Sequence, residues 1–309
     1  MIRAILIALL LTAAPAYAQT PVAIHVGMIP IEPAALVYYA KEEGFFDKAG
    51  LNVDIEPNPS TPALASAVAS GTIDITYGTI PNIAVAHTKG LPFVIVAPGI
   101  LNSSVHFGGT IMIAMNSPLK TGKDFNGKTF AAAGLGTIAE YFPRAWIDKH
   151  GGDSTTVKFI ELPFSETAEA IAAGRVDAGY MSEPFVTLAE RRKLAKIVPD
   201  TADAIAPSDY LATGWFTTAQ WAQAHPDVVA RFVTAMHNAA VWANANQAKT
   251  VPMLQKYLKV DPALTAQTRR PYYAERLLAA QVQPYIDTTA KYAKFAPFPA
   301  GELIYAPAR

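Results

Sequence analysis

Cysteine is absent from the 309 residues. That excludes disulfides and leaves no attachment point for a lipid anchor. Net charge is also missing: 25 Lys and Arg balance 25 Asp and Glu, so neither a polyanion-binding surface nor a nucleic-acid partner is expected. The apolar run at 4–14 falls short of the roughly 20 residues that span a bilayer. With Arg3 before it and Ala16-Tyr17-Ala18 after it, it reads as a signal peptide, residues 1–18, cleaved ahead of Gln19. The mature chain is therefore expected to be soluble, periplasmic and monomeric, touching a membrane only through a partner. The six histidines offer no H-E-x-x-H spacing, and G-x-S-x-G and an evident carboxylate pair are missing too. No metal, cofactor or catalytic activity is expected.

What is present is a phrase used twice. Ala69-Ser70-Gly71-Thr72-Ile73-Asp74-Ile75-Thr76-Tyr77 returns 103 residues later as Ala172-Ala173-Gly174-Arg175-Val176-Asp177-Ala178-Gly179-Tyr180. Each copy reads as an Ala-rich helix stopped by glycine, then a strand whose buried face carries Ile73, Ile75 and Tyr77, or Val176 and Ala178. Two copies imply two similar α/β lobes. Strands expected at 22–28, 51–55, 93–97, 110–115, 128–132 and 157–162 alternate with helices, which predicts a mostly parallel, doubly wound sheet. Residues 98–109 read as a polar crossing and 210–217 as a return strand. From 227 onward the periodicity is helical, and these segments are expected to pack on the first lobe. Lobe I is thus assigned to 19–105 plus 206–309, and lobe II, inserted, to 106–205.

Two phosphate-loop look-alikes need weighing. Gly122-Lys123-Asp124-Phe125-Asn126-Gly127-Lys128-Thr129 fits G-x-x-x-x-G-K-[ST] but precedes a strand instead of a helix, so it reads as a turn. Gly134-Leu135-Gly136-Thr137-Ile138-Ala139 resembles a dinucleotide loop, with Glu161 where a ribose-binding acid would sit. There the competing explanations are a cap built by Thr137 and Glu140, or a helix start offered to another ligand.

Ligands of open α/β sheets sit beyond the carboxyl ends of the strands. That rule selects Pro30, Ser60, Thr61, Thr79, Asn82, Gly136, Thr137 and Glu183, with Gly78 permitting close backbone approach. Helix capping is the competing role for Ser60, Thr61, Thr79 and Thr137. Tyr38, Tyr39, Tyr141 and Trp215 belong either to core or to cleft, and His106, at the proposed crossing, is either a ligand contact or a satisfied structural histidine.

With these residues assembled, the sequence resembles the periplasmic substrate-binding proteins of ABC importers, in the nitrate/sulfonate/taurine group that also holds thiamine-pyrimidine binders. The resemblance rests on Tyr39-Ala40-Lys41-Glu42-Glu43-Gly44-Phe45-Phe46-Asp47-Lys48-Ala49-Gly50-Leu51-Asn52-Val53, on Gly71-x-Ile73-Asp74, and on Asp124-Phe125-Asn126-Gly127-Lys128, where the family usually has Leu second. It rests also on Gly174 to Ala178 running on to Glu183-Pro184, and on His225-Pro226-Asp227-Val228-Val229. It implies a two-lobed type II binding-protein fold that closes on a small solute and hands it to a permease with its ATPase. The family's contact loops fall at Pro30, Ser60, Thr79, Gly136-Thr137 and Glu183. An acid at Glu183 would repel an anion, so it faces an ammonium or ring N–H, or points away. The implied cargo is an organic anion of sulfonate or carboxylate type, with or without an amine or aromatic ring. A pyrimidine-like heterocycle is the alternative, favoured if Tyr38, Tyr141 and Trp215 line the cleft, and nitrate has little use for such aromatics. The same fold group includes a cysteine-bearing pyrimidine synthase and a desulfinase, and a chain without cysteine fits neither; a receptor's sensor module is a further reading.

Overall fold

The computed structural model describes residues 20–103, 108–201, 204–206 and 209–307; the signal-peptide reading and His106 lie outside them. The apolar run forms β1 (Val22–Met28), and a short 3-10 turn leads into α1 (Leu36–Glu42) and α2 (Phe45–Lys48). After β2 (Leu51–Pro57) comes α3 (Thr61–Ser70), capped by Ser60, whose hydroxyl accepts the Ala63 N–H at 3.3 Å. Thr61, read as the cap, lies instead in the first turn beside Pro62. β3 (Ile75–Thr79) passes into α4 (Ile80–Thr88) through a Thr79 cap, and β4 (Phe93–Pro98) follows. The stretch read as a polar crossing contains a strand, β5 (Ile100–Asn102).

The second half of the alternation is β6 (Thr110–Ala114), β7 (Thr129–Ala132), α5 (Ile138–Lys149), β8 (Lys158–Glu161), α6 (Phe164–Ala172), β9 (Ala178–Met181), α7 (Phe185–Arg191) and β10 (Ala195–Ile197). The expected return strand is split into β11 (Tyr210–Leu211) and β12 (Thr213–Thr218). Then come α8 (Ala219–Ala224), α9 (Pro226–Ala245), α10 (Gln247–Leu258), α11 (Pro262–Thr265), the unforeseen β13 (Tyr272–Tyr273), and α12 (Ala279–Ala293).

Two five-stranded sheets result, ordered β2-β1-β3-β12-β4 and β10-β6-β9-β7-β8, with a small sheet β11-β5-β13 between the chain crossings. The fold is two-lobed, as expected, but the sheets are less parallel than the alternation suggested. β1 runs parallel to β2 and β3, and β7 to β8 and β9, whereas β12 is antiparallel to β3 and β4, and β6 to β9 and β10. The antiparallel strands are those entering a sheet straight from a crossing, without a helical crossover to turn the chain round.

The repeated phrase does the same mechanical work in each sheet. Gly71 and Gly174 end their helices at φ 77° and 69°, a region costly for any side chain. The Asp74 carboxylate then accepts the His25 N–H at 2.8 Å, and that of Asp177 accepts the Thr129 N–H at 2.9 Å. Each aspartate thereby ties its strand to the first parallel strand of its sheet. α9 buries Val228, Val229, Phe232, Met236 and Ala240 against α1, α2 and β4, each full burial of a large side chain adding about 1.5–3 kcal/mol. α12 packs on α4 and also on α5, so the last helix touches both halves. Among the described residues no helix is long and apolar enough to cross a membrane.

Candidate functional site

A cavity of about 40 Å³ lies where the two large sheets face each other, enough for roughly three water-sized groups. The repeat builds it. Tyr77 and Tyr180 line it from matching positions of the two copies, as do Thr79 and Ser182 two residues further on, and Thr61 and Phe164 open the corresponding helices. Thr137 and Thr213 add hydroxyls, while Ile29, Ile31, Ile100 and Ile138 supply apolar wall.

Every polar side chain in this lining is a hydroxyl; Asp, Glu, Lys, Arg and His are missing from it among the described residues. Burial pushes the Tyr77 and Tyr180 hydroxyls well above their usual pKa; both stay protonated and able to donate. Thr137 donates to the Gly134 carbonyl at 2.7 Å and accepts the Ala139 N–H at 3.2 Å. Ser182 donates to the Gly108 carbonyl at 2.7 Å, and Thr213 accepts the Ile100 N–H at 3.0 Å. The starts of α3, α4, α5 and α6 converge here, each bringing the positive end of a helix dipole, roughly half a charge. Their amides are not equally free. Pro62 and Pro81 remove donors from α3 and α4, and the Ile80 N–H goes to the Ala212 carbonyl at 3.1 Å. The first turn of α5 has no proline, and Ile138 and Ala139 both face the cavity. Chemically the site is a positively biased hydrogen-bonding pocket with an apolar wall.

Thr61, Thr79 and Thr137 thus reach the cavity, two of them while capping helices. The other candidates are placed elsewhere. Pro30 sits between the lining residues Ile29 and Ile31 without joining them, and Ser60 is spent on its cap. Asn82 gives its N–H to Thr79 and faces an outer groove with Val85 and Lys89. Gly136 donates its N–H to Glu140 at 2.8 Å. Tyr38 stacks on Tyr257 with centroids 4.0 Å apart, Tyr141 lies 6.3 Å from Tyr292, and Tyr39 is core against Tyr273. Trp215 is fully buried between Tyr77 and Phe232. A Cβ on Gly78 would strike the Phe216 ring, so that glycine serves strand packing and not a ligand. Glu183 points away from the cavity, accepting from Thr187 and from the Arg269 N–H; burial pushes its carboxyl up.

The look-alike loops also resolve. Gly122–Phe125 is a 3-10 turn closed by a Thr121–Asp124 capping box, with β7 following. Glu161, in the ribose-acid position, accepts the Leu135 N–H at 3.0 Å and braces the 134–136 loop. One metal-like group exists among the described residues: His25 Nδ1 lies 3.0 Å from Glu56 and 3.9 Å from Asp54 on the solvent-facing side of β1 and β2. The His25–Glu56 contact satisfies it without an ion.

Part of the chain, 144 residues or 46%, is 30% identical to a formylaminopyrimidine-binding protein of Halalkalibacterium halodurans, covering 41% of that protein. Over 210 residues, 66% of the chain, it is 28% identical to a putative aliphatic sulfonates-binding protein of Bacillus subtilis, covering 60% of it. The matches thus span less than two thirds of either relative. Among solved structures, the periplasmic aliphatic sulphonate-binding protein of Escherichia coli superposes with a TM-score of 0.76 at 17% identity, covering 94% of both chains; at that identity the likeness is one of fold. The NMT1/THI5-like family model matches residues 33–250, and the chain belongs to that family.

Proposed function

We propose that this protein is the solute-binding component of an ABC importer, capturing a small organic anion of sulfonate or carboxylate type and delivering it to a membrane permease with its ATPase. The observation that carries this reading is the meeting of four helix starts and the hydroxyls of both sheets on one cavity whose lining, among the described residues, holds no charged side chain. Dipoles and neutral donors suit an anionic head group, while a lysine or arginine would bind it harder and release it less readily. The isoleucines and Phe164 accept the carbon part. In this reading residues 1–18 are removed on export to the periplasm, and 19–105 with 206–309 and 106–205 are the lobes of a monomer. They rock about the β11-β5-β13 sheet, and the solute shifts the equilibrium toward closure. No covalent step is involved.

A pyrimidine-like ring is the second reading. The aromatic platforms first considered are occupied elsewhere, but Tyr77, Tyr180 and Phe164 line the cavity, and one relative is named for a formylaminopyrimidine. A thermal-shift panel of taurine, alkanesulfonates, aromatic carboxylates, pyrimidines, nitrate and NAD separates them. A solute at about 100 times its dissociation constant adds roughly 2.7 kcal/mol, a rise of about 5 °C or more. A shift from sulfonates or carboxylates alone supports the anion; a shift from pyrimidines alone replaces it; silence from both sinks the binding reading.

A further inference from the structure

Beside the cavity, three distant chain segments meet through charged side chains that do not line it. Glu32, only 1% exposed, stands between the lining residues Ile31 and Pro33. Glu183, 2% exposed, directly follows the lining residue Ser182. The Glu32 N–H donates to the Glu183 carbonyl at 3.3 Å, joining the loop after β1 to the loop after β9 across the gap between the sheets. The third segment, 268–273, pins both acids. Arg270 Nε lies 2.9 Å from Glu32 Oε1, Thr268 donates to Glu32 Oε2 at 3.2 Å, and Tyr273 donates to the Glu32 carbonyl at 2.8 Å. The Arg269 N–H donates to Glu183 Oε1 at 3.2 Å, its guanidinium sits 3.8 Å from that oxygen, and Nη1 donates to Glu190 Oε2 at 2.9 Å.

The two arginines have different surroundings. Arg270 is mostly buried and holds Glu32 within the same half of the molecule. The Arg269 side chain is 42% exposed and reaches over to Glu183 and Glu190 on the other half. Parting the sheets would stretch the Arg269 contacts and the Glu32–Glu183 bond, while the Arg270–Glu32 base would move as a piece. Separation therefore costs ion pairing here, close to the loops that set the cavity's width, as well as at the more distant Lys291–Asp148 pair.

We propose that Arg269 is a latch: by bridging to Glu183 and Glu190 it holds the two lobes together before any solute arrives, and so raises solute affinity without touching the solute. This rests on the two-lobed solute-capture reading. A protein whose competent state is already populated loses less of its intrinsic affinity to the cost of closing.

The test needs no solute. Since the chain has no cysteine, Ala69→Cys and Ala172→Cys place spin labels on exposed residues at the far ends of α3 and α6. Their distance distribution then reports lobe separation. Arg269→Gln should lower the ratio of short to long distances about 3- to 10-fold at low salt. Arg269→Lys should restore part of it, and the difference should shrink in about 1 M salt, where exposed pairs are screened. A purely structural role for Arg269 would not give that salt dependence. If Arg269→Gln does not fold, Glu190→Gln carries the same comparison from the surface. A parent with no short-distance population, or variants whose distributions match the parent's, would overturn the latch. A latched parent that ignores every solute in the panel would sink the capture reading and the affinity half of the proposal with it, leaving only the contact that holds the lobes together.

Discussion

Glu32 shows how one residue can be necessary to a site without lining it. Burial, reinforced by the Glu183 carboxylate, pushes its carboxyl up to about 7 against the pull of Arg270 and a hydrogen bond from Thr268. The folded state then holds a proton that the unfolded chain, with a carboxyl near 4.5, has already released. Its contribution to stability is full below about pH 4.5 and is lost as the pH rises through 7. Glu32→Gln cannot ionise, so the melting temperature of the parent relative to this variant should fall between pH 5 and 8. The loss is bounded at roughly 3 kcal/mol. A gap that stays constant over that range would contradict the burial argument. The same residue escapes notice in the sequence, where an isolated Glu before Pro33 carries no spacing or motif. Thr79 and Thr137 were legible as cavity residues because they follow strands and open helices. Tyr77 and Tyr180 were not, since alternation assigns them to a buried face and says nothing about the last turn of that face opening onto a cavity. Tyr38, Tyr141 and Trp215 lie outside the cavity lining, which the sequence left open because an aromatic ring suits a core as well as a cleft.

Among elements, long and strongly patterned ones could be read. β1 and α9 sit where their apolar spacing put them, and the two repeat copies both became helix, glycine and strand. β5 and β13 could not be read, nor could the break that splits the return strand into β11 and β12, because two or three residues hold no period and the pairing of this small sheet comes from tertiary contacts 100 or more residues apart. The antiparallel entry of β12 and β6 is likewise a property of the crossings and not of any strand's own residues. The repeat makes a matched prediction at this scale. Asp74→Ala and Asp177→Ala should each cost about 0.5–1.5 kcal/mol in urea unfolding, because each hands a strand N–H from its carboxylate to water. Solute affinity should change little, as neither aspartate reaches the cavity. A loss of affinity without loss of stability would place these residues in the site after all.

For the molecule as a whole, the account is of two sheets with short connections, their facing helix starts forming a neutral pocket, and a charged clamp beside it. Composition foreshadowed this balance: with no net charge to steer a solute and no cysteine to react with it, selectivity falls to shape, hydroxyls and dipoles. The C-terminal helices complete the design, since α12 lays Lys291 and Tyr292 on Asp148 of α5, both at 2.9 Å. Closure is thereby supported at a point away from the Arg269 clamp. The central claim is that a small organic anion binds between Thr79 and Thr137. The most direct measurement is calorimetric titration of ethanesulfonate into the parent and into the Thr79→Val and Thr137→Val variants. The account predicts one-to-one binding to the parent and a loss of about tenfold or more in Thr79→Val, the value of one hydrogen bond to a charged group, with a smaller loss in Thr137→Val, whose hydroxyl proton goes to the Gly134 carbonyl. Each variant should also lose about 1 kcal/mol of helix capping, visible in unfolding but separable from affinity. Absence of binding to the parent, or equal affinity in all three proteins, would contradict the account.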